Sequence, residues 1–152
     1  MICHIHSSAC SYRQSTGSDY FLDLVRTHAA LGLTLEHKGA TVLAHLTPTK
    51  EKEVLILTPG LGDPLPGALY RVLDCFTGRL GVSSFNLVIY IPPLAETPED
   101  WTGFPHLTRI VDRGDPMSHT NDIGAMELYA SPVISSDPFR VIEALRERFG
   151  GR

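Results

Sequence analysis

Ala40-Thr41-Val42-Leu43-Ala44-His45-Leu46 and, after a polar stretch, Glu53-Val54-Leu55-Ile56-Leu57 decide how this chain folds. Val42, Ala44 and Leu46 recur at every second position, the period of a strand that turns one face to a core. Val54 to Leu57 is instead a continuous apolar run, suited to a central strand. The link between them, Thr47-Pro48-Thr49-Lys50-Glu51-Lys52, is too short for a parallel return, which needs about a dozen residues or more. The two runs are therefore antiparallel neighbours. Upstream, Leu33 and Leu35 alternate with Thr34 and Glu36, and Lys38-Gly39 offers a tight turn into the second strand.

Helical periodicity brackets these strands. From about Ser18 to Leu31, Phe21, Leu22, Val25, His28 and Ala29 fall on one stripe; Ser18 and Asp19 suit the helix start and Gly32 its end. A second helix opens with Asp63 as cap and Pro64 in its first turn. It continues through Leu65, Ala68, Leu69, Val72, Leu73 and Phe76. Residues 84–91 alternate as a strand, with Phe85, Leu87, Ile89 and Ile91 on one face and Asn86, Val88 and Tyr90 on the other, before Pro92-Pro93 stops it. Further strands are expected at about 106–112 and 124–131, separated by a surface loop over 114–123. The last helix follows, with Asp137 as cap and Phe139, Ile142, Leu145 and Phe149 as its buried stripe. The order is α-β-β-β-α-β-β-β-α, an α+β architecture with helices packed on one face of an antiparallel sheet. Residues 1–17 are aperiodic and read as a flexible arm, leaving 18–152 as a single domain.

With 152 residues, 43% of them apolar and 20% charged, the chain has the size and composition of one globular unit. Its net charge of -4, with no cluster of Lys and Arg, argues against a nucleic-acid partner. No apolar run approaches the roughly 20 residues that cross a bilayer, and Met1 to His6 does not read as a secretory signal. Three cysteines, Cys3, Cys10 and Cys75, form no disulfide framework, which fits a reducing, cytoplasmic setting.

Three segments together resemble the carboxy-terminal half of galactose-1-phosphate uridylyltransferase-like enzymes, within the histidine-triad-like fold. They are Ala40 to Leu57, Phe85-Asn86 to Pro93, and Gly103-Phe104 through Ile110-Val111-Asp112-Arg113 to Gly124-Ala125-Met126-Glu127-Leu128 and Ser131-Pro132-Val133. In order they span roughly residues 33–149. The resemblance implies binding of nucleotides, nucleotide sugars or sugar phosphates, and an active strand carrying His-x-His. One imidazole there serves as nucleophile for the nucleotidyl group, a role that needs nucleophilicity near neutral pH. Aligned on Ile110 and Arg113, the two histidine positions fall on Pro105 and Leu107, and a following acidic or amide position falls on Arg109. A shift by one residue puts His106 and Thr108 there instead. Neither register restores the pair.

The resemblance thus implies a degenerate domain that holds a small anionic ligand without nucleotidyl transfer. Asn86, Arg109 and Arg113 are its candidate ligand residues. Arg109 can grip phosphate with its planar fork, or pair with Asp112 or Glu127 as an ordinary surface arginine. Asn86 can bond a ligand or pin a turn, and Arg113 can do the first or anchor its loop. Two other readings stay open: a nucleotidyltransferase or phosphohydrolase using His106 as its catalytic residue, and an assembly module that binds no ligand. Family members join two such half-units edge to edge, which implies a homodimer for a lone half. Cys3, His4, His6 and Cys10 are the right ligand types for zinc, although adjacent Cys3-His4 side chains diverge in extended chain, and no cofactor is expected. Cys75 belongs to a helix core, and Pro59-Gly60-Leu61-Gly62-Asp63-Pro64 reads as a strand-to-helix turn.

Overall fold

The computed structural model describes residues 2–115, 117 and 134–150, with side chains from residue 4 onward. In chain order the elements are α1 (Ile2–Thr16), α2 (Tyr20–Ala30), β1 (Thr34–His37), β2 (Ala40–Ala44), β3 (Val54–Thr58), α3 (Leu65–Gly78), β4 (Phe85–Tyr90), β5 (His106–Asp112) and α4 (Pro138–Gly150). The strand expected at 124–131, and most of the loop expected over 114–123, lie outside the described residues.

The quoted stretch folds as its pattern requires. β1 and β2 form a hairpin around Lys38 and Gly39, whose φ angles are 50° and 89°. Positive φ at both central residues gives the turn whose twist matches the flanking strands, and glycine adopts it without steric cost. β3 returns antiparallel to β2, with Val42 opposite Ile56 and Ala44 opposite Val54. β5 inserts between β3 and β4, so the order across the antiparallel sheet is β1-β2-β3-β5-β4.

Both faces of the sheet are covered over β2, β3 and β5, while β4 stays largely exposed. Val42, Ala44, Val54, Ile56 and Ile110 meet Leu65, Val72, Cys75 and Phe76 of α3 and Ile142 and Leu145 of α4. On the opposite face Leu43, Leu55, Leu57, Leu107 and Tyr90 meet Phe21, with Ile5, Ala9, Leu24, Val25 and Phe104 packed around them. Placement of the helices on one face thus holds for α3 and α4 but not for α1 and α2. The reason was present in β3: all five of its residues are buried, and such a strand needs a layer on each side.

The expected flexible arm over residues 1–17 is corrected by α1. Its apolar periodicity is weak, and tertiary contacts supply what propensity does not. Ile5 and Ala9 enter the second core, and the His6 ring stacks on Trp101 with centroids 3.9 Å apart. Arg13 donates to the Thr102 carbonyl at 2.9 Å and pairs with Asp19 at 3.1 Å.

The helix ends differ in detail from the sequence reading. Asp19, not Ser18, caps α2 by accepting the Leu22 N–H at 2.9 Å. Gly32 ends that helix at φ 70° as expected. Asp63 makes no side-chain cap for α3, whose first turn follows Pro64. Asp137 does cap α4, accepting the Phe139 N–H at 2.9 Å. The buried stripe of α4 is Val141, Ile142, Ala144 and Leu145, which leaves Phe139 exposed. Cys75 is fully buried, and burial pushes its thiol up to about 11.

Candidate functional site

Strand parity sorts the candidate residues before any side chain is considered. On β5, Leu107, Arg109 and Val111 share a face, and His106, Thr108 and Ile110 share the other. Val88 of β4 lies opposite Arg109, and Asn86 lies opposite Val111. Asn86 and Arg109 are therefore diagonal neighbours on the α1–α2 side. Arg113, just beyond β5, is tied by its backbone N–H to the Ser84 carbonyl at 2.9 Å and has an exposed side chain. The structure brings Asn86 and Arg109 together and puts His106, opposite Thr58, on the far face.

Arg109 is not an open fork. Its Nε donates to Glu53 Oε1 at 2.9 Å and its Nη2 to Glu53 Oε2 at 3.0 Å, the bidentate arrangement that guanidinium and carboxylate planes favour. Nη2 also donates to the Thr49 hydroxyl, and Tyr90 adds a further interaction. Thr49 completes the carboxylate, its backbone N–H reaching Oε2 at 2.8 Å and its hydroxyl at 3.2 Å. Burial opposes ionisation of Glu53, but the His45 ring, Arg109 and Thr49 outweigh it and hold the carboxyl at about 2.

The expected partners of Arg109 were Asp112 and Glu127. Asp112 is instead paired with Lys52 at 2.5 Å, and Glu127 lies outside the described residues. The partner is Glu53 because β3 pairs with β5. Arg109 sits opposite Leu55, and Glu53, two residues back, shares its face.

Two histidines extend this cluster, and the sequence reading assigned neither a role in it. His45 Nδ1 is buried 3.4 Å from Glu53 Oε1, close enough to favour the carboxylate but outside hydrogen-bonding geometry. His28, only 3% exposed, lies parallel to His45 with ring centroids 5.6 Å apart. The Leu46 N–H donates to His28 Nε2 at 3.0 Å, so the ring proton is on Nδ1, which donates to the Leu24 carbonyl at 2.8 Å. His28 is thereby fixed as a neutral imidazole; burial lowers its pKa. The available signal was two histidines and a glutamate near the ends of adjacent elements, with nothing in one dimension to join them.

Elsewhere the candidates are engaged in packing. Leu107, at one of the two expected nucleophile positions, is buried in the second core, and Pro105 is half-buried. His6 Nε2 lies 2.8 Å from the Asp100 carbonyl and 3.4 Å from Cys10 Sγ, while His4 is exposed. The Cys3 side chain is outside the described set. Among the described residues no three His, Cys, Asp or Glu side chains are grouped to hold a metal ion. At the start of α3, Leu65 N–H is bonded to the Gly62 carbonyl, and Pro64 and Pro66 carry no N–H. The Gly60-Leu61-Gly62 segment thus serves as a turn rather than an anion cradle.

No protein-family profile and no curated protein matches this chain. Solved structures do. The chain has the histidine-triad-like α+β fold, with an open antiparallel sheet of five strands among the described residues. It is the fold of the uridylyltransferase-type enzymes. A uridylyltransferase mutant superposes with a TM-score of 0.72 at 15% identity, over 98% of this chain and 52% of that one. A second uridylyltransferase structure gives 0.72 at 14%, over 98% and 50%. An ADP-glucose phosphorylase from Arabidopsis thaliana, solved with bound ADP-glucose, gives 0.68 at 17%, over 96% and 48%. The chain therefore spans about half the length of these proteins. Among the described residues no helix is long and apolar enough to cross a membrane.

Proposed function

We propose that this chain is a uridylyltransferase-like domain that binds a nucleotide, nucleotide sugar or sugar phosphate without transferring the nucleotidyl group. The observation that carries the reading is the β5 face itself. It presents Arg109 beside Asn86, with Arg113 at the strand exit, on a fold whose solved examples include a phosphorylase holding ADP-glucose. The same face carries Leu107, buried among apolar side chains, at a position where the resemblance calls for one of two histidines. His106 points to the other face, away from these three residues, which gives the alternative of His106 catalysis less support.

Calorimetric titration with ADP-glucose, UDP-glucose and glucose 1-phosphate tests the proposal. Arg109→Ala is a poor single probe, because it also strands Glu53. Arg113→Ala and Asn86→Ala leave that pair intact. Weakening by either of about tenfold, 1.4 kcal/mol, supports the face as the site. Absence of heat across the whole panel removes the ligand reading and favours the assembly module.

The second element of the proposal is a homodimer. β4 is an outer strand of the described sheet, and its Phe85, Leu87, Val88 and Ile89 are each more than a third exposed. A second copy along such an edge is one way to cover it. A monomeric mass by light scattering at micromolar concentration removes this element. Free Cys10 and Cys75 fit a reducing, cytoplasmic setting for the protein.

A further inference from the structure

We infer that an anion bound at Arg109 is taken up together with a proton, which settles on His45. The inference rests on the proposed ligand reading and specifies how that site is regulated. The Arg109 fork already holds an anion, the Glu53 carboxylate. A ligand phosphate at the exposed part of Arg109 shares the single guanidinium charge with Glu53, which holds it through Nε and Nη2. The Glu53 side chain is only 4% exposed, and a buried carboxylate that loses its cationic partner is strongly disfavoured. Another positive group must replace what the ligand draws away.

The groups facing the carboxylate define the choices. From β5 comes Arg109, the group in competition, and from β4 Tyr90, which interacts with Arg109. From the β2–β3 connection comes Thr49, which is uncharged and already bonded to Glu53. From α2 comes His28, whose two ring nitrogens are both committed; a proton on its Nε2 would expel the Leu46 N–H. At the end of β2 stands His45, whose Nδ1 is 3.4 Å from Oε1 and without a hydrogen bond. Its side chain is 17% exposed, which gives solvent protons access. Protonated, that Nδ1–H donates to Oε1 and supplies the missing positive charge. The proton comes from solvent and no covalent bond changes. In the ligand-free molecule the Arg109–Glu53 pair is neutral. In the bound molecule the Arg109–ligand and His45–Glu53 pairs divide the charge between them. Lowering the pH therefore strengthens binding.

The probe is ADP-glucose, whose diester phosphates keep a constant charge through the neutral range, so that any proton taken up is taken up by the protein. Titrations at pH 6.5 and pH 8, each in two buffers of different ionisation enthalpy, read the proton count directly. The expected result is uptake of up to one proton per ligand, with affinity falling by as much as about tenfold per pH unit on the alkaline side. His45→Gln should bind the ligand more weakly than the wild-type protein at pH 6.5, and both uptake and pH slope should disappear. Should that variant fail to fold, the His45 ring nitrogens of the wild-type protein, followed by NMR with and without ADP-glucose, report the same event. Binding with a flat pH profile and no proton uptake overturns the inference and leaves the ligand reading standing. Uptake unchanged in His45→Gln removes His45 as the acceptor. Absence of binding at either pH overturns both.

Discussion

On one side of the sheet, Val42, Val54, Ile56 and Ile110 meet Val72, Phe76, Ile142 and Leu145, a layer of aliphatic and aromatic contacts. On the other, Leu43, Leu55 and Leu57 meet Phe21, but this layer is bordered by Glu53, Arg109, His45 and His28. The first face is built from parts that tolerate exchange, provided that volume and pattern are kept. The second is built from pairs. Glu53, Arg109 and His28 are each held by named partners, while His45 Nδ1 makes no hydrogen bond, and removing a partner leaves a buried group alone. The candidate ligand residues all belong to this second face or its margin. Binding there must work against charged pairs already made, whereas the apolar face buries the uncharged Thr58 and Thr108 among its hydrophobic residues.

The largest effect that tests this contrast is on the apolar side. Phe76→Ala removes a fully buried ring and should cost about 3–5 kcal/mol in urea unfolding. Phe76→Leu should recover much of that loss. The polar side should respond differently. Glu53→Gln leaves Arg109 partly buried and without its counter-ion, at a cost of about 3 kcal/mol, the low end for a broken buried pair because the Arg109 side chain is 26% exposed. The double variant Glu53→Gln with Arg109→Met should then recover part of the loss. A strictly additive double variant would mean that the two residues act independently, and the contrast between the faces would fail.

The pH profile of unfolding sharpens the comparison without mutation. Burial lowers the His28 pKa below its ordinary 6.5. The unfolded chain therefore binds the proton first, and the stability held above about pH 6.5 is lost as pH falls toward the folded value. Glu53, held at about 2 against an ordinary 4.5, keeps its contribution until pH falls below about 4.5 and loses it on the way to 2. Acid should thus weaken the polar face in two steps, the histidine before the carboxylate. His28→Gln should remove the upper step alone, as monitored by thermal melts from pH 7.5 to pH 3. The smallest effect is at a helix end: Asp19→Ala removes the cap of α2 and should cost about 1 kcal/mol by denaturant titration.

Much of the frame was legible because it depends on short periods. The alternation of Val42 and Ala44, the Lys38-Gly39 turn and the continuous run from Val54 to Leu57 each define a strand and its neighbour within a few residues. The stripe through Val72 and Phe76 did the same for α3. The Asp137 cap was readable, since a cap acts across one helical turn, and the stripe of α4 held at Ile142, Leu145 and Phe149, with Val141 and Ala144 joining it and Phe139 left exposed. The resemblance carried by Ala40 to Leu57, Phe85 to Pro93 and Gly103 onward agrees with the solved structures at 14–17% identity. α1 was not legible. Its contacts, through Ile5, His6, Ala9 and Arg13, fall at helical spacing, but these side chains are too few and too polar to mark an apolar stripe.

The candidate site divides along the same line. Strand parity separated Arg109 from His106, and the resemblance supplied Asn86 and the loss of the histidine pair at Pro105 and Leu107; that Asn86 shares the face of Arg109 came from the pairing of β4 with β5. The partner of Arg109 came only from tertiary structure. Arg109 and Glu53 are separated by 56 residues, and they meet because β5 lies beside β3 rather than beside β1. Nothing local in the sequence states that choice. The stacking of His28 on His45 depends in turn on α2 crossing the face opposite α3 and α4. Local pattern determined which segments become strands and helices, because backbone geometry repeats over two to four residues. Strand order and the layer on each face decided the charge partners, because electrostatic and packing energies depend on distance in space and not along the chain.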